Sequence, residues 1–400
     1  MFIKSTIQKV GRFEFVCLMA TLISIMAMSI DSVLPALSYI FIDFNLDNQN
    51  SSQYVIGFVL LGFAFGQIFY GPISDSLGRK NTCYIGYLFF IIGTLICIFS
   101  QNFNQIILGR ILQGFGGAAF RVCSTALVRD MYSGTDMAKI MSIVMSVFVL
   151  VPVFAPSVGQ LILFFGNWRF IFVFLIIFTT TGVLWMSFRL QETLKPENKR
   201  SLSFLGVLNS FKFVLTNKNA MIYTACSGFA FSGLIGYINS SQQILQNIFH
   251  TGNMFSIYFS ISAISIGISS FVNSMIVKKY GMRKISNFAI LTIVFTSMIF
   301  LLIYIILSRN ISLLMFMIYI MIIFFCFGLL FGNFSALAMQ HMCSLAGTAS
   351  SVIGSISSII SVIIGTIIGQ SFNNTILPIC IGFLTLSLFS LVLQLFLTKQ

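Results

Sequence analysis

Twelve long apolar runs, each long enough to cross a bilayer as a helix, constrain this chain of 400 residues more than any other feature. A transmembrane helix needs about 20 predominantly apolar residues, and it satisfies its own backbone hydrogen bonds. Only 8% of the residues are charged, which excludes an ordinary soluble domain. The sequence predicts an all-α integral membrane protein with 12 transmembrane helices. The runs occupy 14–40, 54–74, 82–100, 105–128, 139–163, 168–189, 219–243, 254–277, 284–307, 311–338, 344–370 and 375–397.

The longest polar stretch of the chain divides these runs into two sets of six. Residues 190–218 form this stretch, and its charged residues prevent it from crossing lipid. Gly78-Arg79-Lys80 follows the second run, and Gly281-Met282-Arg283-Lys284 follows the eighth, about 203 residues later, which indicates a duplicated six-helix unit. We therefore predict an N-terminal six-helix bundle over 1–189, a cytoplasmic linker over 190–218 and a C-terminal six-helix bundle over 219–400.

The basic residues indicate how the chain is oriented in the membrane. The formal net charge is +13, but the Lys and Arg residues lie mostly in short loops beside apolar runs, so they report topology. With the N-terminus in the cytoplasm, 18 of the 22 Lys and Arg residues fall on the inner side. Because cytoplasmic loops are enriched in such residues, we predict cytoplasmic N- and C-termini. The lipid bilayer is the expected surroundings, and no nucleic-acid partner is expected.

The residues at the end of the second span form the pattern G-x-x-x-D-x-x-G-R-K, with Gly71, Asp75, Gly78, Arg79 and Lys80 at its defined positions. Gly78 permits the positive φ of a tight turn. A carboxylate at the Asp75 position can accept hydrogen bonds from Arg or from a neighbouring helix N-terminus, and breaking that contact would let the halves part. We predict that these residues control conformational change. The matching turn of the second half has a lysine in place of the carboxylate.

Asp31 is the one carboxylate that lies well inside a predicted span. Burial favours its protonated form and a nearby arginine favours the ionised form, so Asp31 can exchange a proton. Arg110 lies in the fourth span, and Arg121 follows 11 residues later on the same helical face. We predict proton coupling by Asp31 and Arg110, and a substrate cavity that Asp31 and Arg121 line. A permanent Asp31–Arg110 ion pair and an Arg121 that only snorkels to the surface are the structural alternatives.

Two further groups of residues are candidates for the transport path. Asn239 and Gln243 belong to a polar cluster near the outer end of the seventh span, where amides can line a substrate cavity. Pro152, Pro156 and Gly159 lie in the fifth span, where prolines one turn apart bend a helix and small residues allow close packing. We predict that the amides contact substrate and that the bent helix takes part in conformational gating. A plain packing bend is the alternative for the fifth span.

Several of these motifs together resemble the major facilitator superfamily. The pattern over 71–80 resembles its inner-loop signature, and the run from Arg110 through Gln113-Gly114 resembles its R-x-x-Q-G motif. With the region of Asp31, Val128-Arg129-Asp130 and Ala155-Pro156, the chain is similar to the Bcr/CflA drug-resistance branch. This resemblance implies two six-helix bundles, a gating role for Arg129, and proton-driven export of drugs from the bacterial inner membrane. Gln160 departs from the exporters' G-P-x-x-G-G motif.

The sequence favours a secondary active transporter over an enzyme or an ATP-driven pump. It contains no G-x-x-x-x-G-K-[ST] motif, and no Asp or Glu follows Glu197, so any acid that carries protons lies in the N-terminal bundle. We expect an antiporter that exports small amphipathic toxic compounds by alternating access, uses a proton gradient without a cofactor or metal, and works as a monomer. A proton-coupled importer of a small organic anion and a transporter-like sensor are the alternatives.

Overall fold

A computed structural model describes residues 11–132, 134–194, 212, 214–308, 310–340 and 346–397. All regular elements among these residues are helical. The first seven α-helices are α1 Arg12–Asp31, α2 Leu37–Asp43, α3 Tyr54–Leu77, α4 Arg79–Ile98, α5 Phe103–Met131, α6 Gly134–Phe165 and α7 Arg169–Arg189. The remaining six are α8 Lys218–Gln243, α9 Phe255–Tyr280, α10 Met282–Ile306, α11 Leu313–Met339, α12 Ala346–Gln370 and α13 Leu377–Leu395.

The prediction of 12 transmembrane helices is confirmed. In the described part of the chain, 11 helical segments are long and apolar enough to cross a membrane, and a shorter apolar helix at Val151–Phe165 within α6 accounts for the twelfth. The first span, Arg12–Asp43, combines α1, a 3-10 turn at Leu34–Ala36 and α2. The orientation of the termini stays a prediction.

The chain packs as two compact units. The first unit comprises 1–33 and 58–207, and the second comprises 34–57 and 208–400. The segment between the break in the first span and the start of α3 therefore belongs to the second unit. The predicted boundaries at 189 and 218 stay predictions, since most of the linker, 195–211 and 213, lies outside the described residues.

Glycines let α3 and α4 approach α5 closely in the first unit. A Cβ on Gly62 would lie 2.1 Å from the Ile111 carbonyl oxygen, and one on Gly116 would lie 2.4 Å from the Gly86 carbonyl oxygen. Small residues at such positions bring helix backbones together and maximise van der Waals contact in the absence of a hydrophobic driving force. This close packing makes α5 the centre of the first unit and fixes the position of Arg110 on it.

In the second unit the pair α8 and α12 has the same kind of contact. A Cβ on Gly365 would lie 2.9 Å from the carbonyl oxygen of Ser232. Asn217 begins α8 with its side-chain oxygen accepting from the Ala220 N–H at 2.9 Å, an N-cap that satisfies one of the free donors of the first turn. Helix α8 carries Asn239 and Gln243, which are described below.

Candidate functional site

The first span breaks at Asp31. Helix α1 ends at this residue, the Ser32 hydroxyl donates back to the Met28 carbonyl oxygen at 2.6 Å, and the 3-10 turn containing Pro35 follows. The Asp31 side chain is 3% exposed, and its Oδ1 has no hydrogen-bond partner among the described residues. An ionised carboxylate in this position would carry an uncompensated charge at the negative end of a helix. The break therefore contains a buried carboxyl group that no ion pair with a described residue keeps ionised.

Arg110 is fully buried on α5 and holds the same segment of α1. Its Nη2 donates to the Ser29 carbonyl oxygen at 2.9 Å, and its Nη1 donates to Oε1 of Gln113. Gln113 in turn donates to the Thr94 hydroxyl at 2.9 Å. The guanidinium carbon lies 5.8 Å from the centroid of the Phe172 ring. A buried cation is tolerated when its donors are used in this way, and here the donors tie α1, α4 and α5 together.

Arg110 contacts α1 at Ser29, two residues before Asp31, but the Arg110 and Asp31 side chains do not bind each other. Within the described part of the chain no hydrogen bond or ion pair links the two side chains, so a permanent ion pair is absent from this arrangement. Arg121 lies further along α5, half-buried, with its guanidinium carbon 5.6 Å from the centroid of the Phe63 ring. The coupling and cavity roles of these three residues stay predictions.

The first unit contains a cavity of about 570 Å³ along α1. Its wall on α1 runs from Arg12 through Val16, Ala20 and Ser24 to Met28, a spacing of about one helical turn per step. Helices α6 and α7 supply further lining side chains, most of them apolar. The volume lies within the range of about 300–1,000 Å³ of small-molecule sites. Met28 is three residues before Asp31, so the cavity approaches the break in the span.

The few polar groups of the cavity are mostly engaged. Arg12 and Asp136 form an ion pair of 2.7 Å among the lining residues, and the Thr21 and Ser24 hydroxyls donate to carbonyl oxygens one turn back in α1. Neither Arg110 nor Arg121 lines this cavity. No group of three or more His, Cys, Asp or Glu side chains in the described residues is placed to bind a metal ion. The cavity is suited to apolar and amphipathic molecules rather than to a small anion.

The turn after α3 is organised around Arg79, which is 3% exposed. Its guanidinium donates to Asp75 at 2.7 Å, to Asp130 at 2.8 Å and to the Ser74 hydroxyl at 3.0 Å. Gly78 makes the turn with φ 101° and ψ 162°, a conformation that other residues rarely adopt. All of these partners lie in the first unit, where they join the ends of α3, α4 and α5.

Glu192 completes this turn and was not recognised from the sequence. Its carboxylate accepts from the backbone N–H groups of Arg79 at 3.0 Å and Lys80 at 3.1 Å. The Lys80 ammonium donates to the carbonyl oxygens of Ser187 and Leu190, at the end of α7. The signal that could have identified Glu192 is that it is the first acidic residue after the sixth span. Its sequence distance from Gly78 concealed the contact.

The other predicted gating residues lie outside this network. Arg129 is exposed at the end of α5, whereas its neighbour Asp130 holds Arg79. Gly71 is half-buried within α3, beside the proline that this helix accommodates. The predicted bend residues Pro152, Pro156 and Gly159 all lie inside α6, which continues through both prolines. Their role in gating stays a prediction.

In the second unit the amides of α8 meet the segment that follows the first span. Gln243 donates to the Asn50 side-chain oxygen at 3.0 Å and accepts from Gln53 Nε2 at 2.5 Å. Asn50 also donates to the Gln370 carbonyl oxygen at 3.0 Å. Asn239 is fully buried, and neither atom of its amide has a partner among the described residues. Gln243 is thus engaged with protein, while Asn239 has polar atoms free to meet a ligand or water.

Sequence similarity to known proteins extends over most of the chain. A family model described as the Major Facilitator Superfamily matches residues 17–366. A bicyclomycin resistance protein homolog of Haemophilus influenzae is 28% identical over 399 residues, which is 98% of each chain. Multidrug resistance protein MdtL of Citrobacter koseri is 28% identical over 343 residues, 84% of this chain and 85% of the relative. Multidrug resistance protein D of Escherichia coli is 26% identical over 242 residues, 57% of this chain and 60% of the relative.

Proposed function

Because the chain belongs to the major facilitator superfamily, we propose that it is a secondary active exporter of drugs or other small amphipathic compounds. It is a multi-pass membrane transporter of small molecules, similar over nearly its whole length to a bicyclomycin resistance protein homolog. In our proposal each export step is an exchange for protons through alternating access, without a cofactor. The protein acts as a monomer in a bacterial inner membrane, with both termini in the cytoplasm.

The observation that carries the proton coupling is the state of Asp31. Its carboxyl group is buried at a break in the first span, has one oxygen without a partner, and forms no ion pair within the described residues. A carboxyl group that is locked to an arginine keeps its charge throughout a cycle, whereas one without a fixed partner can change protonation as its surroundings change. In our proposal Asp31 is neutral in this arrangement and ionises when the break becomes exposed to water. Arg110 keeps the break in position through the Ser29 carbonyl oxygen.

The cavity along α1 supports the substrate class. Its lining is mainly apolar, and it extends to Met28, one turn before Asp31 on the same helix. Apolar walls without fixed hydrogen-bonding partners accept molecules of varied shape, since burial of apolar surface is non-directional. We propose that amphipathic compounds bind here, where a change of charge on Asp31 alters their affinity.

Import of an organic anion is the second candidate and is less well supported. It requires cationic side chains that are available to the substrate, but Arg110 and Arg121 are not among the residues that line this cavity, and the lining Arg12 is paired with Asp136. Arg110 already donates to Ser29 and Gln113. Uptake with protons and export against protons are distinguished by the direction of transport in an imposed pH gradient.

Replacement of Asp31 by Asn tests the proposal most directly. The amide keeps the shape of the side chain but cannot release a proton, so Asp31→Asn should abolish pH-driven transport of a fluorescent amphipathic dye in proteoliposomes. Wild-type binding of the dye should weaken as the pH falls, because in our proposal the cavity holds the dye tightly only while Asp31 is ionised, and protonation removes that charge. Because Asn stays neutral, the variant should bind the dye at every pH with the weaker affinity that the wild type has at low pH.

Glu14→Gln is the matched control, because Glu14 also lies on α1 but is ion-paired with Arg189. It should retain most of the pH-driven transport. Full transport by Asp31→Asn, or a larger loss in Glu14→Gln, would show that Asp31 is not the coupling carboxylate. Cells with and without the gene should also differ in their resistance to a panel of toxic amphipathic compounds; equal resistance would contradict drug export.

A further inference from the structure

One end of the second unit contains a cavity, lined in part by basic side chains, that the proposed transport mechanism does not use. Its volume is about 380 Å³. The turn between α9 and α10 contributes Tyr280, Arg283 and Lys284, and the start of α8 contributes Asn219 and Tyr223. The ends of α11 and α13 complete the wall. By the distribution of basic residues, this is the cytoplasmic end of the unit.

Two basic side chains, Arg283 and Lys284, line the cavity. Arg283 interacts with the Tyr223 hydroxyl, and neither Arg283 nor Lys284 forms an ion pair with a described residue. No Asp or Glu occurs in 198–400. The two carboxylates of the unit, Asp43 and Asp47, belong to the segment bound near the opposite end of α8, about 36 Å away along that helix. No described carboxylate of this unit is therefore placed to balance the charge of the cavity.

The matching turn of the first unit indicates what kind of group fits. There a carboxylate of the chain itself, Glu192, accepts from the N–H groups of Arg79 and Lys80. A Cβ on Gly78 would lie 2.5 Å from that carboxylate, whereas a Cβ on Gly281 would have no atom of a described residue within 4 Å. In the first turn the Glu192 carboxylate occupies the space beside the glycine. In the second turn the corresponding space is a cavity lined by basic side chains.

We infer that this cavity binds the phosphate headgroup of an anionic phospholipid. Arg offers paired donors and Lys a point charge to phosphate oxygens, and the lining tyrosine and amide side chains can donate further hydrogen bonds. Basic pockets at the cytoplasmic ends of transmembrane helices suit such headgroups. Phe288, one helical turn after Lys284, is 68% exposed, and Phe396, the residue before the lining Leu397, is 56% exposed. These surfaces match acyl chains, which a soluble phosphate lacks.

The test is lipid binding by the full-length protein purified in detergent. Phosphatidylglycerol is titrated and retained lipid is counted by native mass spectrometry, with phosphatidylcholine as the neutral lipid. Arg283→Gln combined with Lys284→Gln should weaken phosphatidylglycerol binding about 30-fold, because each basic residue near the headgroup contributes about fivefold. The measurement does not depend on transport, so it remains interpretable if the proposed function fails.

Lys278→Gln combined with Lys279→Gln is the matched control, since it removes two charges from the same turn but neither lysine lines the cavity. It should weaken binding about threefold or less. Equal losses in both pairs would overturn the site, because they would show attraction to a charged surface only. Saturation by inorganic phosphate with no preference for phosphatidylglycerol over phosphatidylcholine would overturn the lipid assignment. Circular dichroism confirms that each variant is folded before binding is compared.

Discussion

The two turns at Gly78 and Gly281 have nearly the same backbone but opposite electrostatic surroundings. Gly78 has φ 101° and ψ 162°, and Gly281 has φ 79° and ψ 149°. Each is a single residue between two transmembrane helices, and a basic pair follows closely in each case. Around Gly78, three carboxylates hold the basic residues, whereas Lys278 stands at the position that matches Asp75 and no carboxylate follows in the chain.

The glycine and the charges of these turns therefore have separate roles. The glycine permits a conformation that is strained for other residues, and both turns keep it. The carboxylates around Gly78 bind Arg79 and the start of α4 to the rest of the first unit, so this turn is complete within the protein. At the turn at Gly281 no described carboxylate binds the basic side chains, and in our inference they bind an anion from outside the protein. Duplicated halves can thus keep one fold while only one of them is closed by its own salt bridges.

Replacing each glycine by alanine should give the largest contrast in stability. Both changes place a side chain in a conformation that costs about 2 kcal/mol. At Gly78 the new Cβ also displaces the Glu192 carboxylate from two backbone N–H groups, which adds about 1 kcal/mol. Denaturant unfolding in mixed micelles should show Gly78→Ala as the more destabilised variant. Equal losses at both positions would mean that Glu192 contributes nothing to the turn.

Removal of Arg79 should have the next largest effect. Arg79→Gln leaves Asp75 and Asp130 without their shared cation and should lower the free energy of unfolding by about 2 kcal/mol. The loss is smaller than for a fully buried pair because these carboxylates are 29% and 19% exposed. Arg283→Gln is the control and should change stability by less than about 0.5 kcal/mol. A comparable loss at Arg283 would show that the second turn contains an ion pair after all.

Introducing the missing ion pair into the turn at Gly281 should have the smallest effect on stability. Lys278→Asp with Met282→Arg recreates the i,i+4 pair of Asp75 and Arg79 in the second turn. The coupling energy of this pair in a double-mutant cycle should be about 0.3–0.5 kcal/mol, because the site is exposed and lacks a partner equivalent to Asp130. The cycle for Asp75 and Arg79 should give a larger value. If the introduced pair couples as strongly as the native pair, the contribution of Asp130 is small.

Patterns within short stretches of sequence predicted much of this protein. The 12 spans follow from local hydropathy, and the tight turn at Gly78 follows from one glycine between two apolar runs. The unusual position of Asp31 was visible because a carboxylate in an apolar run has no local explanation. The hydrogen-bond partners of these residues could not be predicted from the sequence. Glu192 lies 113 residues from Arg79, and Gln243 lies 193 residues from Asn50, so no local pattern connects them.

The segments that enter lipid, and the charged residues whose burial there needs a functional reason, follow from the amino-acid sequence alone. Both depend on the free energy of transferring individual groups from water. The partner of each polar group, in contrast, depends on how the helices pack. In the packed structure Asp31 forms no hydrogen bond with Arg110, and Gln243 donates to Asn50. At the turn, Asp130 binds Arg79, whereas the predicted gating residue Arg129 is exposed. Such choices depend on distances of a few ångströms between helices, since a hydrogen bond is lost beyond about 3.5 Å.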